Sequence, residues 1–252
     1  MRRIIALGLL LACASAARAQ DASIGGADSL YFAGRVADAL ARYESILASR
    51  PRDFEVLTHA ARAQLVLGVL SERGPSQTEA YVRAEALARR AIAADSGRAD
   101  GFYWLAASLG RQALRASLKV APGLARGTND AAHRALAIDS LHAGAHDVLG
   151  KLNSEVRNLS AVVRFIAGRM LGVSIARETS WEAAELHLKR AIQLDSMVIL
   201  YRADLAQLYL RTGRRREAEE QVSRLVAMPR VHPTDALFQR EAQDRLEEYR
   251  RK

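Results

Sequence analysis

Three stretches of the 252-residue chain align without gaps: Arg89-Arg90-Ala91-Ile92-Ala93-Ala94-Asp95-Ser96, His133-Arg134-Ala135-Leu136-Ala137-Ile138-Asp139-Ser140 and Lys189-Arg190-Ala191-Ile192-Gln193-Leu194-Asp195-Ser196. Self-similarity of this kind constrains a fold more than any local propensity, because each copy must be one supersecondary unit stacked on the next. Each stretch reads as the last two turns of a helix, and a looser copy runs from Tyr43 to Pro51. An alanine stands seven residues ahead of the repeated position in four places: Ala39 before Ile46, Ala84 before Ala91, Ala184 before Ala191 and Ala218 before Leu225. That spacing is two helical turns, so both members of a pair face one neighbour, and small side chains there let two helices approach closely.

The pattern resembles the tetratricopeptide repeat, a 34-residue helix-turn-helix unit. Its clearest match starts near Ile199, with Leu205-Ala206 at the family's Leu-Gly pair, Tyr209 at the inner aromatic, Gly213 at the turn and Ala218 in the second helix. Leu149-Gly150 after His146 and Leu105-Ala106 after Phe102 match two further units. Leu57, Ala60, Ala61 and Gly68 mark a weaker one, and Gly34, Ala39, Tyr43 and Pro51 the first. The resemblance implies an all-α chain: a TPR-like α-solenoid of antiparallel helix pairs, about five units, with a C-terminal capping helix. Composition agrees, since 50% hydrophobic and 6% aromatic residues exclude both a disordered polyelectrolyte and an aromatic-rich β-sandwich.

The repeat marks fall at 51, 96, 140, 196 and about 230, giving intervals of 45, 44, 56 and about 34. The surplus lies each time between the first-helix signature and the second-helix alanine, so the insertions share one edge of the solenoid. Insertions of about 11 residues add close to three whole turns and keep a helix facing the same way. Gly74-Pro75 and Pro122-Gly123 predict loops within the first two. Leu159, Val162, Val163, Ile166 and Met170 predict an amphipathic helix in the third. After His232-Pro233, Thr234 reads as an N-cap of a last helix with Leu237 or Phe238, Ala242, Leu246 and Tyr249 on one face and Arg and Glu on the other. A solenoid needs such a polar-faced cap, and the expected division is a solenoid over 20–233 and a cap over 234–252.

Residues from about 85 to 230 are similar to a narrower group, the regulator of microtubule dynamics family. The likeness rests on His146-x-x-Leu149-Gly150, the long extension ending Met170-Leu171-Gly172, Ser180-Trp181-Glu182-Ala183-Ala184, Lys189-Arg190-Ala191, and Tyr103-Trp104-Leu105-Ala106 in the preceding unit. The resemblance implies the shared architecture; eukaryotic members are cytosolic or organelle-associated and linked to microtubules. This chain departs from them at its start. Arg2 and Arg3 precede an apolar run, and Ala17-Arg18-Ala19 is a good peptidase site, so residues 1–19 read as a secretory signal peptide. The expected location is exported, periplasmic or secreted, as a bacterial relative in the envelope. The alternative is a lipid anchor through the only cysteine, Cys13, in Leu10-Leu11-Ala12-Cys13.

Chemistry leaves little trace. The chain has no Gly-rich phosphate loop, no His-Glu-x-x-His, no nucleophile elbow and no cysteine pair, so neither an enzyme nor a cofactor is expected. His142 and His146 could form half a metal site, but one falls in a turn and the other at a packing position. Trp104 and Trp181 read as packing residues, and Asp95, Asp139 and Asp195 as helix-closing residues.

Binding remains. In this repeat class the groove is lined by first-helix positions one and two turns in, which here hold Thr58 and Arg62, Tyr103 and Ala107, Asp147 and Lys151, and Ala203 and Gln207. The set lacks the Lys and Asn of a carboxylate clamp, and a protein or peptide partner is expected. The second candidate is a basic edge. Residues 101–129 carry Arg111, Arg115, Lys119 and Arg126 with no acid, and 156–177 carry Arg157, Arg164, Arg169 and Arg177 with no acid. Against an anionic membrane surface each could contribute about 1 kcal/mol, or they pair with acids of neighbouring helices. Nucleic acid is a poor match without interleaved aromatics. Of the formal charge of +9, the signal peptide holds Arg2, Arg3 and Arg18, and these two acid-free segments hold eight of the remaining basic residues.

Overall fold

A computed structural model describes residues 23–161, 163 and 179–251. Eleven helices lie among them: α1 (Ile24–Phe32), α2 (Val36–Ser49), α3 (Phe54–Leu70), α4 (Pro75–Ala94), α5 (Ala99–Ala113), α6 (Ala121–Ile138), α7 (Ala143–Asn158), α8 (Trp181–Leu194), α9 (Ile199–Arg211), α10 (Arg215–Ala227) and α11 (Asp235–Arg251). Connections of seven residues or fewer, except for residues 159–180 between α7 and α8, make consecutive helices antiparallel neighbours. They form five stacked hairpins, α1–α2 to α9–α10, closed by α11.

The helix ends follow from their sequence. Asp95, Asp139 and Asp195 each donate a backbone N–H to the carbonyl four residues back, and each carboxylate accepts the amide two residues on, from Gly97, Leu141 and Met197 at 2.9–3.0 Å. Aspartate can bond its own backbone in this way, so the repeated acid serves the turn. Gly34 and Gly213 have φ of +80° and +75°. Beyond Gly213, Arg214 N–H reaches the Tyr209 carbonyl at 2.8 Å and Gly213 N–H the Leu210 carbonyl at 3.3 Å, the paired closure that favours a left-handed residue. Asp53 and Ser180 cap α3 and α8 by accepting from Val56 and Ala183.

Packing bears out the small-residue pairs. Ala39, Ala84, Ala91, Ala184, Ala191 and Ala218 are fully buried. Gly150 in α7 touches α8 so closely that a Cβ there would lie 2.6 Å from Leu188 Cγ.

The structure differs from the sequence expectation in the insertions. Pro75 opens α4 and Pro122 lies in the first turn of α6, so Pro122-Gly123 is helix rather than loop. Proline lacks only an N–H that the first turn leaves unpaired anyway; the α5–α6 connection sits earlier, at 114–120. The stripe from Leu159 to Met170 lies largely outside the described residues, as do Arg164, Arg169, Arg177 and the signal segment. α7 stops at Asn158, and Leu159 is extended.

The last helix buries Phe238, Ala242 and Leu246 against Ile199, Ala206 and Leu225, each large apolar side chain contributing about 1.5–3 kcal/mol. Gln239 Nε2 donates to the Leu225 and Met228 carbonyls at 2.9 and 3.1 Å, covering the end of α10. The row of hairpins also curves back on itself: the Phe32 ring lies 5.9 Å from the His232 ring, and Val69 of α3 packs onto the cluster holding Phe238. No described helix is long and apolar enough to cross a membrane.

Candidate binding cleft

First helices of three successive units present one stripe each to a common space. On α5 the stripe is Tyr103, Ala107 and Arg111; on α7 it is Asp147, Lys151 and Glu155; on α9 it is Leu200 and Asp204. Four-residue spacing keeps each set on one helix face. Together with Leu114, Leu118 and Pro122 from the α5–α6 connection and α6, and Leu152 and Val156 from α7, they enclose a cleft of about 410 Å³. Leu118, on its rim, is 69% exposed.

The walls are apolar and the floor is ionic. Lys151 Nζ donates to Asp204 Oδ1, and the Asp204 side chain is 5% exposed. Asp147 is equally buried. Neither Asp147 Oδ1 nor Asp204 Oδ2 has a hydrogen-bond partner. Burial first, and then the Asp204 charge, push the Asp147 carboxyl well above the usual carboxylate range, against the opposing pull of Lys151 and Arg111. In the same lining, Glu155 Oε2 accepts from Arg211 at 2.9 Å, and Arg211 also binds Ser154 Oγ at 3.0 Å. Tyr103 lies against Gly144, where a Cβ would come within 2.5 Å of its ring; burial raises its hydroxyl above the ordinary tyrosine range.

This environment implies a stability effect with a definite sign. Asp147 holds its proton to higher pH folded than unfolded, so the folded chain loses stability as pH rises from the ordinary carboxylate range through the folded value. Asp147→Asn removes that loss. Thermal denaturation should show the variant melting above the parent at neutral pH, with the gap closing as pH falls toward the ordinary carboxylate range.

Tyr103, Ala107, Asp147 and Lys151, expected from sequence to line a groove, meet in the cleft. Arg111 of the expected basic edge turns into it as well, its guanidinium 6.0 Å from the Phe238 ring. The other groove candidates lie elsewhere. Thr58 is buried, its hydroxyl donating to the Glu55 carbonyl at 2.9 Å. Arg62 binds Asp28 at 2.7 Å and stacks 4.1 Å over Tyr31. Ala203 is buried, and Gln207 accepts from Arg245 of α11 at 3.3 Å. Arg115, Lys119 and Arg126 are exposed beside the cleft mouth, whereas Arg157 is half-buried.

His142 and His146 take different roles. His142 Nδ1 accepts from Ala145 N–H as the N-cap of α7, while His146 Nδ1 lies 2.9 Å from His187 Nδ1. Burial and the neighbouring imidazole hold His187 down to about 4. The described residues contain no group of three or more potential metal ligands.

Asp204 was not singled out in the sequence. Its signal was an acid between Ala203 and Leu205 on a helix whose neighbouring positions are mostly apolar.

The profile described as Regulator of microtubule dynamics protein 1-3 matches residues 24–250. No curated protein matches the chain. Among solved structures, the thermophilic TPR protein TTC0263 of Thermus thermophilus is similar at 22% identity and a TM-score of 0.62, over 90% of this chain and 96% of that one. YrrB, titled a TPR protein with an unusual peptide-binding site, is similar at 16% identity and a TM-score of 0.42, over 88% and 90%. MamA gives 16% and 0.43, over 81% and 90%. The likeness to TTC0263 speaks to the fold.

Proposed function

The chain belongs to the regulator of microtubule dynamics protein 1-3 family, and on that premise we propose a non-catalytic scaffold of the bacterial cell envelope that holds a protein or peptide partner in the cleft between α5, α7 and α9. The observation that carries this reading is the cleft itself: concave, apolar-walled and ionic at its floor, with a volume inside the range of specific binding sites. The export signal read at residues 1–19 supports the envelope location.

Photo-crosslinking tests it. A photoreactive residue at Ala107, inside the cleft, should give one discrete adduct in the native envelope; the same residue at Leu186, exposed on α8, should not. Leu118→Glu should abolish the Ala107 adduct. An adduct indifferent to Leu118→Glu would sink the reading.

A second reading is a module that lies on an anionic membrane surface. Exposed Arg115 and Lys119 beside exposed Leu118 and Val120 favour it, because basic residues next to apolar ones suit an interface. It requires sedimentation with phosphatidylglycerol vesicles and loss of that sedimentation in the pair Arg115→Glu and Lys119→Glu.

A further inference from the structure

The cleft floor holds more acid than it can pair. Asp204 gives one oxygen to Lys151, and Glu155 is bound by Arg211. Asp147 Oδ1 and Asp204 Oδ2 are left without partners, on residues about 5% exposed that both line the cleft. Arg111, the other cation of the lining, makes no hydrogen bond to either and stands near the Phe238 ring. A buried carboxylate oxygen without a donor is costly, and a cationic donor satisfies it more strongly than a neutral one.

Around this floor the walls are aliphatic, formed by Leu65, Leu152, Val156, Leu114 and Leu118. Outside the mouth the charge reverses. Arg115 and Lys119, next in the chain to the lining residues Leu114, Ala116 and Leu118, are exposed, so further cations on a ligand would be repelled and acids attracted. Apolar surface also continues past the cavity through exposed Leu118 and Val120, which suits a chain longer than the cavity.

We propose that the cleft recognises a short apolar segment of a partner protein carrying a single lysine or arginine, whose cation reaches Asp147 and Asp204, with acidic residues flanking the segment. This rests on the cleft being the partner site. It adds the chemistry of what enters. Selectivity comes from the floor, since an apolar wall alone discriminates weakly between side chains of similar size, whereas unpaired buried groups reject a ligand that cannot satisfy them.

The test uses the exported chain and three synthetic peptides with a leucine-rich core and glutamate ends, differing only in a central lysine, norleucine or glutamate. Calorimetry should show the lysine peptide binding at least about tenfold tighter than the norleucine peptide, with the glutamate peptide weakest. Asp147→Asn, which should fold at least as stably as the parent, should bring the lysine peptide to the norleucine level. Asp204→Asn provides an independent check of the same preference.

Equal binding of lysine and norleucine peptides overturns the charge assignment while leaving the cleft a peptide site. Binding of none of the three overturns the assignment and counts against the cleft as the partner site. A free alkylamine, n-decylamine, is the remaining arm. If it binds with the Asp147 dependence and the lysine peptide does not, the occupant is a small amphiphile and the peptide proposal fails.

Discussion

Lys151→Met should destabilise the protein by about 3 kcal/mol, the low end of the range for breaking a buried ion pair by removing one partner. The low end applies because the Lys151 side chain keeps 23% of its exposure while Asp204 keeps 5%. Methionine preserves the stem and its packing, so the loss reports the charge: Asp204 would stay buried beside Asp147 with its counter-ion gone. At roughly 2–4 °C per kcal/mol for a chain of this size, the thermal midpoint should fall by about 6–12 °C. Adding Asp204→Leu should recover most of the loss, since replacing both members of a buried pair by apolar groups is often neutral. A drop below about 1 kcal/mol in the single variant would show that Lys151 does not sustain Asp204.

Gly150→Val should be comparably severe. A Cβ at Gly150 would lie 2.6 Å from Leu188 Cγ, 2.9 Å from Cδ2 and 3.0 Å from the Leu188 backbone nitrogen, and Leu188 is itself fully buried. Relief therefore requires α7 and α8 to separate, and overpacking of this kind costs about 1–3 kcal/mol. The upper end is expected, because a backbone atom cannot rotate aside. Gly150→Ala should cost less, since alanine regains up to about 1 kcal/mol of helix propensity. Urea denaturation of both, and of Gly150→Ala with Leu188→Ala, tests the cause; the double variant should lose less than the sum of its parts.

The repeat made the helix ends legible because it repeats the atoms that form them. Ala91, Ala135 and Ala191 with the aspartate four residues on fixed three helix ends, and Gly213 a turn. The same reasoning placed Tyr103, Asp147 and Lys151 on inner faces. Arg62, from the same reasoning, lies outside this cleft, because register tells which way a side chain leaves its own helix and not what the curvature brings against it. Asp28, the acid that holds Arg62, is 34 positions earlier, in a helix α1 that carries little of the repeat signature. Asp204 escaped for a related reason: the pattern marks positions by a helix's place in its unit, and the cleft floor is assembled from two units. Pro122 was read as a loop marker because proline breaks helix interiors, although it is also suited to a first turn.

The contact of Phe32 with His232 joins positions 200 residues apart, and it bears on how the chain comes apart. An open solenoid has only nearest-neighbour interfaces, so it can fray from either end and lose units one at a time. Here Val69 of the second hairpin packs on the cluster that holds Phe238 of α11, so the capping helix touches the early part of the row as well as its own neighbours. Fraying at one terminus then exposes apolar surface at the other, and the molecule should unfold in fewer, larger steps than its number of repeats suggests.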